Sequence, residues 1–157
     1  MSSTRSVTRT APASVQATTI ASAMLVVQTP GRGFTDLTRE AAAFIHDVAA
    51  REGALTLFIR HTSASLTIQE NADPSVLADL TTALSHLAPE QAGWTHDTEG
   101  PDDMPAHVKT MLTGTSLHVP VLDGKLALGT WQAIYLVEHR ARPHRREIVL
   151  QFVGSDR

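Results

Sequence analysis

Histidine supplies 8 of the 157 residues, and imidazole both ligates metals as a neutral base and titrates near pH 7. The densest polar stretch runs Thr95-His96-Asp97-Thr98-Glu99-Gly100-Pro101-Asp102-Asp103-Met104-Pro105-Ala106-His107-Val108-Lys109. Its two imidazoles, eleven residues apart, flank four carboxylates where a loop runs into a helix start. Such donors suit a divalent cation or acid–base work. Equally, Asp102 and Asp103 suit capping of the helix with the histidines solvated, because the spacing matches no HExxH-type signature. His61, in His61-Thr62-Ser63-Ala64-Ser65, follows an apolar strand. Its ring either bonds a neighbouring carbonyl or joins His96 and His107 in a three-imidazole site with an open coordination position.

Other donors are scattered. Gly129-Thr130-Trp131-Gln132 interrupts a strand with a glycine, a hydroxyl, an indole and an amide, a pattern of either a ligand approach or a hairpin corner with Trp131 in the core. Lys109, Ser116 and Thr130 are donors of the kind that hold phosphate, although no P-loop is present. Arg140, Arg142, Arg145 and Arg146 cluster beside His139 and His144, either as a solvated hairpin tip or as an anion site. Ser116 in Gly114-Thr115-Ser116 is not in a GxSxG elbow, which disfavours a serine hydrolase.

The elements that must position these residues read as follows. Thr18–Val27 is strand-like, and Pro30-Gly31-Arg32-Gly33 turns the chain. Thr35 caps a helix over 36–51 in which Leu37, Ala41, Phe44, Ile45 and Val48 recur at helical spacing, with Gly53 ending it. Strands follow at 54–60 and 65–69. Asp73-Pro74 starts a helix whose apolar face carries Val76, Leu77, Leu80, Leu84 and Leu87. A short helix from Asp102–Asp103 to about Leu112 ends at Gly114, and a hairpin turns at Asp123-Gly124. Strands at 134–138 and 147–153 complete the chain. This is an α+β chain with a largely antiparallel sheet or sandwich, two longer helices and one short helix. It forms a single domain over 18–157 behind a flexible tail at 1–17.

Composition narrows the class. No cysteine is present, excluding disulfide scaffolds, thiolate zinc sites and thiol nucleophiles. A net charge of −3 and 4% aromatic residues argue against a nucleic-acid partner. No apolar stretch reaches the 18 residues of a membrane span, so no membrane partner is expected and a cytoplasmic location follows by default. The late apolar residues Leu122, Leu126, Leu128, Ile134, Leu136, Val149 and Phe152 promise more sheet surface than the helices cover, and hence self-association.

Taken in order, Gly31-Arg32-Gly33-Phe34, His61 to Pro74, His96-Asp97, Glu99-Gly100, Asp102 to Lys109, Gly114-Thr115-Ser116 and Gly129 through Glu138 resemble the YjbQ-like family, often labelled secondary thiamine-phosphate synthase. The resemblance covers nearly the whole chain after residue 18. It implies a homotrimer of α+β subunits with a polar pocket near the subunit contacts. The implied reaction joins hydroxymethylpyrimidine diphosphate to a thiazole phosphate and releases pyrophosphate. The resemblance implies a catalytic set of His61, His107, Asp103 and Glu138, and a phosphate- or ligand-binding set of Lys109, Ser116, Thr130, Trp131 and Gln132. It places His61, His96 and His107 at the family's histidine positions, which the reading of the residues takes as metal ligands. The cofactor expected is a divalent metal, and the two candidates pull apart: a diphosphate substrate calls for Mg²⁺, three imidazoles for Zn²⁺. A small phosphorylated molecule is the expected partner. A trimer that binds metal or ligand without turnover, or a metal-assisted hydrolase, stands as the alternative.

Overall fold

The computed structural model describes residues 4–157. Residues 4–17 are exposed and carry no regular structure, and the remainder of the tail expected at 1–17 lies outside the described residues. Eight strands and three helices follow: β1 Thr19–Thr29, β2 Gly33–Asp36, α1 Thr38–Asp47, β3 Ala50–Ile59, β4 Ala64–Glu70, α2 Pro74–Leu87, α3 Asp103–Thr113, β5 Ser116–Leu122, β6 Lys125–Leu126, β7 Gln132–Glu138 and β8 His144–Asp156. One sheet has the order β1-β8-β3-β5-β6 and the other β2-β7-β4. Every pairing is antiparallel.

Alternation builds the core. Leu55, Leu57 and Ile59 of β3 and Ile148, Leu150 and Phe152 of β8 are all buried, each on the period-two face of its strand. They meet Leu66 of β4, Ile134 and Leu136 of β7, and Leu37, Ala41 and Ile45 at and within α1 in one cluster. Burying a side chain of this kind is worth about 1.5–3 kcal/mol, so this seam between sheets and helix holds the fold. The expectation of uncovered sheet at Ile134, Leu136 and Phe152 is corrected here: all three are sealed within the chain. Leu122, by contrast, is 57% exposed.

Several boundaries differ from the sequence reading for local reasons. Thr35 lies in β2, and Leu37 stands at the N-cap of α1 without a side-chain cap bond, while Asp36 Oδ1 accepts the Thr38 N–H at 2.8 Å. Gly53 does not end α1. It sits inside β3 opposite Gly154, where a Cβ on Gly53 would come 2.3 Å from the Val153 carbonyl oxygen. The chain leaves α1 through Ala49 at φ 53°. Asp73 caps α2, accepting the Ser75 N–H at 2.9 Å. Asp123 and Gly124, at φ 47° and 74°, make the expected hairpin turn. The helix foreseen as short, α3, has 11 residues against 10 in α1.

Candidate functional site

The site is built where α3 begins. Asp103 and His107 are four residues apart and share one face of α3. The loop before the helix returns His96 onto that face. One oxygen of Asp103, Oδ2, lies 2.7 Å from His96 Nε2 and 3.2 Å from His107 Nε2. The ring centroids are 5.6 Å apart, and the three ligand atoms lie within 4.8 Å of one another. Asp103 is buried, while the side chains of His96 and His107 are 45% and 31% exposed. The cluster therefore has a closed floor and an open top.

Its supports explain the geometry. Arg140 Nη1 donates to Asp103 Oδ1 at 2.6 Å, and its Nε donates to Asp102 Oδ2 at 3.1 Å. The Ala141 N–H also reaches Asp102, at 2.8 Å, and Arg140 Nη2 donates to the Glu99 carbonyl at 2.8 Å. One guanidinium thus locks the loop, the helix start and the end of β7 together. Burial opposes ionisation of Asp103, but the bond from His96 and the Arg140 charge outweigh it and hold the carboxyl below its ordinary value. The same bond to Asp103 raises the pKa of His96.

His107 decides what the cluster can do. Its Nδ1 lies 2.7 Å from the Thr62 carbonyl oxygen, which can only accept, so Nδ1 carries the hydrogen. In the neutral ring Nε2 is then a lone pair, aimed at a carboxylate oxygen already bonded to His96. Two acceptors face each other there, and only a cation between them or a proton on the ring reconciles them. Metal-ligating histidines are usually oriented by a hydrogen bond from their other ring nitrogen, as His107 is by the Thr62 carbonyl. The donor set fits a divalent cation.

The structure gathers only part of the predicted set. His61 stands apart: the Glu147 N–H donates to its Nε2 at 2.8 Å, and burial, followed by the Arg146 charge, lowers its pKa. The side chains whose ligand atoms lie close enough to share one ion are therefore His96, Asp103 and His107 rather than three imidazoles. Glu138 is buried and saturated, accepting from Arg146 Nε at 2.8 Å, from Arg146 Nη2 and from the Thr29 hydroxyl at 2.7 Å. That is a structural ion pair rather than a free catalytic base. Thr130, Trp131 and Gln132 lie at the opposite end of β7 from Glu138, roughly 20 Å away at strand rise. Trp131 is 63% exposed, which also rules out a core role. Ser116 is exposed at the start of β5, opposite Phe58. Lys109 is buried on α3.

Sequence reasoning named Arg140, Arg146 and His139 but did not foresee their burial or their partners. The arginine cluster, read as a solvated tip or an anion site, instead holds Arg146 buried against Glu138 and Arg140 half-buried against Asp102 and Asp103. His139 is buried, its Nε2 2.8 Å from the Ser65 hydroxyl, and burial pushes its pKa down to about 4. For His139 the available signal was position, directly after the apolar strand β7 with no turn residue between.

The family model described as "UPF0047 protein YjbQ-like" matches residues 22–155. UPF0047 protein sll1880 of Synechocystis sp. is 47% identical over 133 residues, covering 84% of this chain and 90% of that protein. UPF0047 protein YjbQ of Salmonella typhimurium is 44% identical over 125 residues, covering 79% and 91%. Among solved structures, hypothetical protein TT1486 of Thermus thermophilus superposes with a TM-score of 0.72 at 38% identity, covering 81% of this chain and 97% of its own. Hypothetical protein APE1520 of Aeropyrum pernix gives 0.79 at 27% identity, covering 86% and 99%.

Proposed function

The chain belongs to the UPF0047 YjbQ-like family, and we propose that it is a divalent-metal-dependent enzyme acting on a small phosphorylated molecule at His96, Asp103 and His107. The carrying observation is the His107 ring, whose fixed Nδ1–H leaves Nε2 facing a carboxylate oxygen at 3.2 Å. Two imidazoles and one carboxylate favour Zn²⁺ or a similar ion over Mg²⁺, which prefers an oxygen shell. Bound there, such an ion would supply Lewis acidity and an acidified water. The chain's own residues do the rest. Arg140 orients Asp103, the Thr62 carbonyl fixes the His107 tautomer, and the loop at Glu99 closes one flank.

The specific reaction implied by the family resemblance is joining hydroxymethylpyrimidine diphosphate to thiazole phosphate. Purified protein given both substrates and a divalent cation is expected to form thiamine phosphate, and His107→Ala to abolish it. No product above a heat-killed control removes the transferase reading and leaves the metal centre to be tested by itself. A metal-assisted hydrolase is then the next reading, favoured by the partly exposed imidazoles.

Assembly as a trimer belongs to the same reading. No residue of α2 is buried, although Val76, Leu77, Leu80 and Leu84 form a half-covered apolar row on it. Light scattering is expected to give about three times the 16.9 kDa chain mass. A stable monomer contradicts this.

A further inference from the structure

The chain has two tryptophans, and neither belongs to the core cluster. Trp94 stands in the loop between α2 and α3, outside every helix and strand. Its indole is half-buried, and its Nε1–H donates to the Pro89 carbonyl at 2.9 Å. That bond satisfies the one polar atom of the ring and holds the ring in place without sealing it in the core. The loop is pinned further along as well, where Arg140 Nη2 donates to the Glu99 carbonyl at 2.8 Å. Here the chain forms an open cleft of about 340 Å³, walled by Trp94 and Pro101 with His96, Asp97 and Glu90 around it. Sites for small molecules begin at roughly 300 Å³, so a six-membered ring has room.

The lining decides which ring. An anchored indole offers a π-face on which a planar group stacks at little ordering cost. Apart from His96, whose Nε2 is held by Asp103, the charged lining groups are the carboxylates of Glu90 and Asp97. Arg32 takes one oxygen of Glu90 at 2.6 Å. Asp97 is exposed and has no ion pair among the described residues. A carboxylate only accepts hydrogen bonds, so the occupant that fits is a flat ring carrying N–H donors, not an anion and not a bare hydrocarbon. His96 belongs both to this cleft and to the group of candidate metal ligands. A ring stacked on Trp94 therefore lies beside that group.

We propose that Trp94 is a stacking platform for an amino-substituted nitrogen heterocycle, with Asp97 accepting from its exocyclic amino group. This deepens the function proposed above and rests on it only for the ring's being part of a substrate; the ring seat itself needs no cation. The test is an NMR titration of the full chain, in buffer containing a chelator, with aminopyrazine, pyrazine and cyclohexylamine. Aminopyrazine is expected to bind saturably and at least about 3-fold more tightly than pyrazine, the share of one hydrogen bond. Cyclohexylamine, an amine without a flat ring, is expected to bind more weakly still. The indole N–H resonance of Trp94 is expected to shift while that of Trp131 stays. Trp94→Leu is expected to weaken aminopyrazine at least about 5-fold, the low end for a base stacked on an aromatic side chain. Trp94→Phe, which keeps a ring, is expected to retain most of the binding, and Asp97→Ala to remove the preference over pyrazine. No saturable binding of aminopyrazine overturns the proposal, as does undiminished binding in Trp94→Leu. Cyclohexylamine binding as tightly as aminopyrazine, a shift confined to Trp131, or a preference kept in Asp97→Ala overturns it too. Because no free cation is present, failure here leaves the metal reading standing, and failure of metal binding leaves the ring seat standing.

Discussion

At Asp103 a single carboxylate serves two masters, a guanidinium on Oδ1 and two imidazoles on Oδ2. This pairing was half legible in sequence, because His96, Asp103 and His107 lie in one short segment where loop and helix spacing bring them together. His61 was misplaced because its partner, the Glu147 amide, is 86 residues away and met only through sheet pairing. His139 offers a sharper residue-scale prediction. Its folded pKa is about 4 against an ordinary 6.5, from burial first and the Lys109 charge second. Between those values the unfolded chain binds the extra proton, so this contribution to stability is complete above pH 6.5 and is lost as pH falls towards 4. The shift corresponds to about 3 kcal/mol. His139→Gln keeps an acceptor for Ser65 without that titration. Urea unfolding from pH 7 to pH 4 is expected to show a smaller loss in the variant by about that amount, and parallel losses would refute this.

Elements were read most reliably where local chemistry speaks: Asp73-Pro74 for α2, Asp123-Gly124 for the β5–β6 hairpin, and alternation in β3 and β8. They were misread where a distant strand decides. Gly53 looks like a helix terminator, but what fixes it as glycine is the close passage of β8. Gly154→Ala would push a Cβ to 2.1 Å from the Glu52 carbonyl oxygen, and overpacking of this kind costs about 1–3 kcal/mol or more. Thermal unfolding is expected to show the loss, and an unchanged midpoint would mean that the two strands separate freely. The cap of α2 behaves differently, because no residue of that helix is buried. Asp73→Ala removes the bond to the Ser75 N–H, worth about 1 kcal/mol. It is expected to speed amide exchange within Pro74–Leu87 while core strands keep their protection. Global loss of protection would show that α2 is an integral part of the core.

In the whole molecule, two antiparallel sheets and α1 share one core, and α3 carries the candidate ligands Asp103 and His107 on one face and the buried Lys109 on another. The α+β class and antiparallel pairing followed from the order of the segments. The partition of the strands into sheets of five and three did not, because it depends on which distant strands pair. The described residues contain no helix long and apolar enough to cross a membrane. The account stands or falls on the cation. After stripping with a chelator, the chain is titrated with Zn²⁺ by calorimetry alongside His107→Ala, Asp103→Asn and His61→Ala. One ion per chain is expected in the unaltered protein and in His61→Ala. Loss of a single ligand should weaken binding by at least about 100-fold, beyond what loss of an outer partner costs. No binding, or binding that survives in both His107→Ala and Asp103→Asn, would contradict the assignment of this cluster as the metal centre.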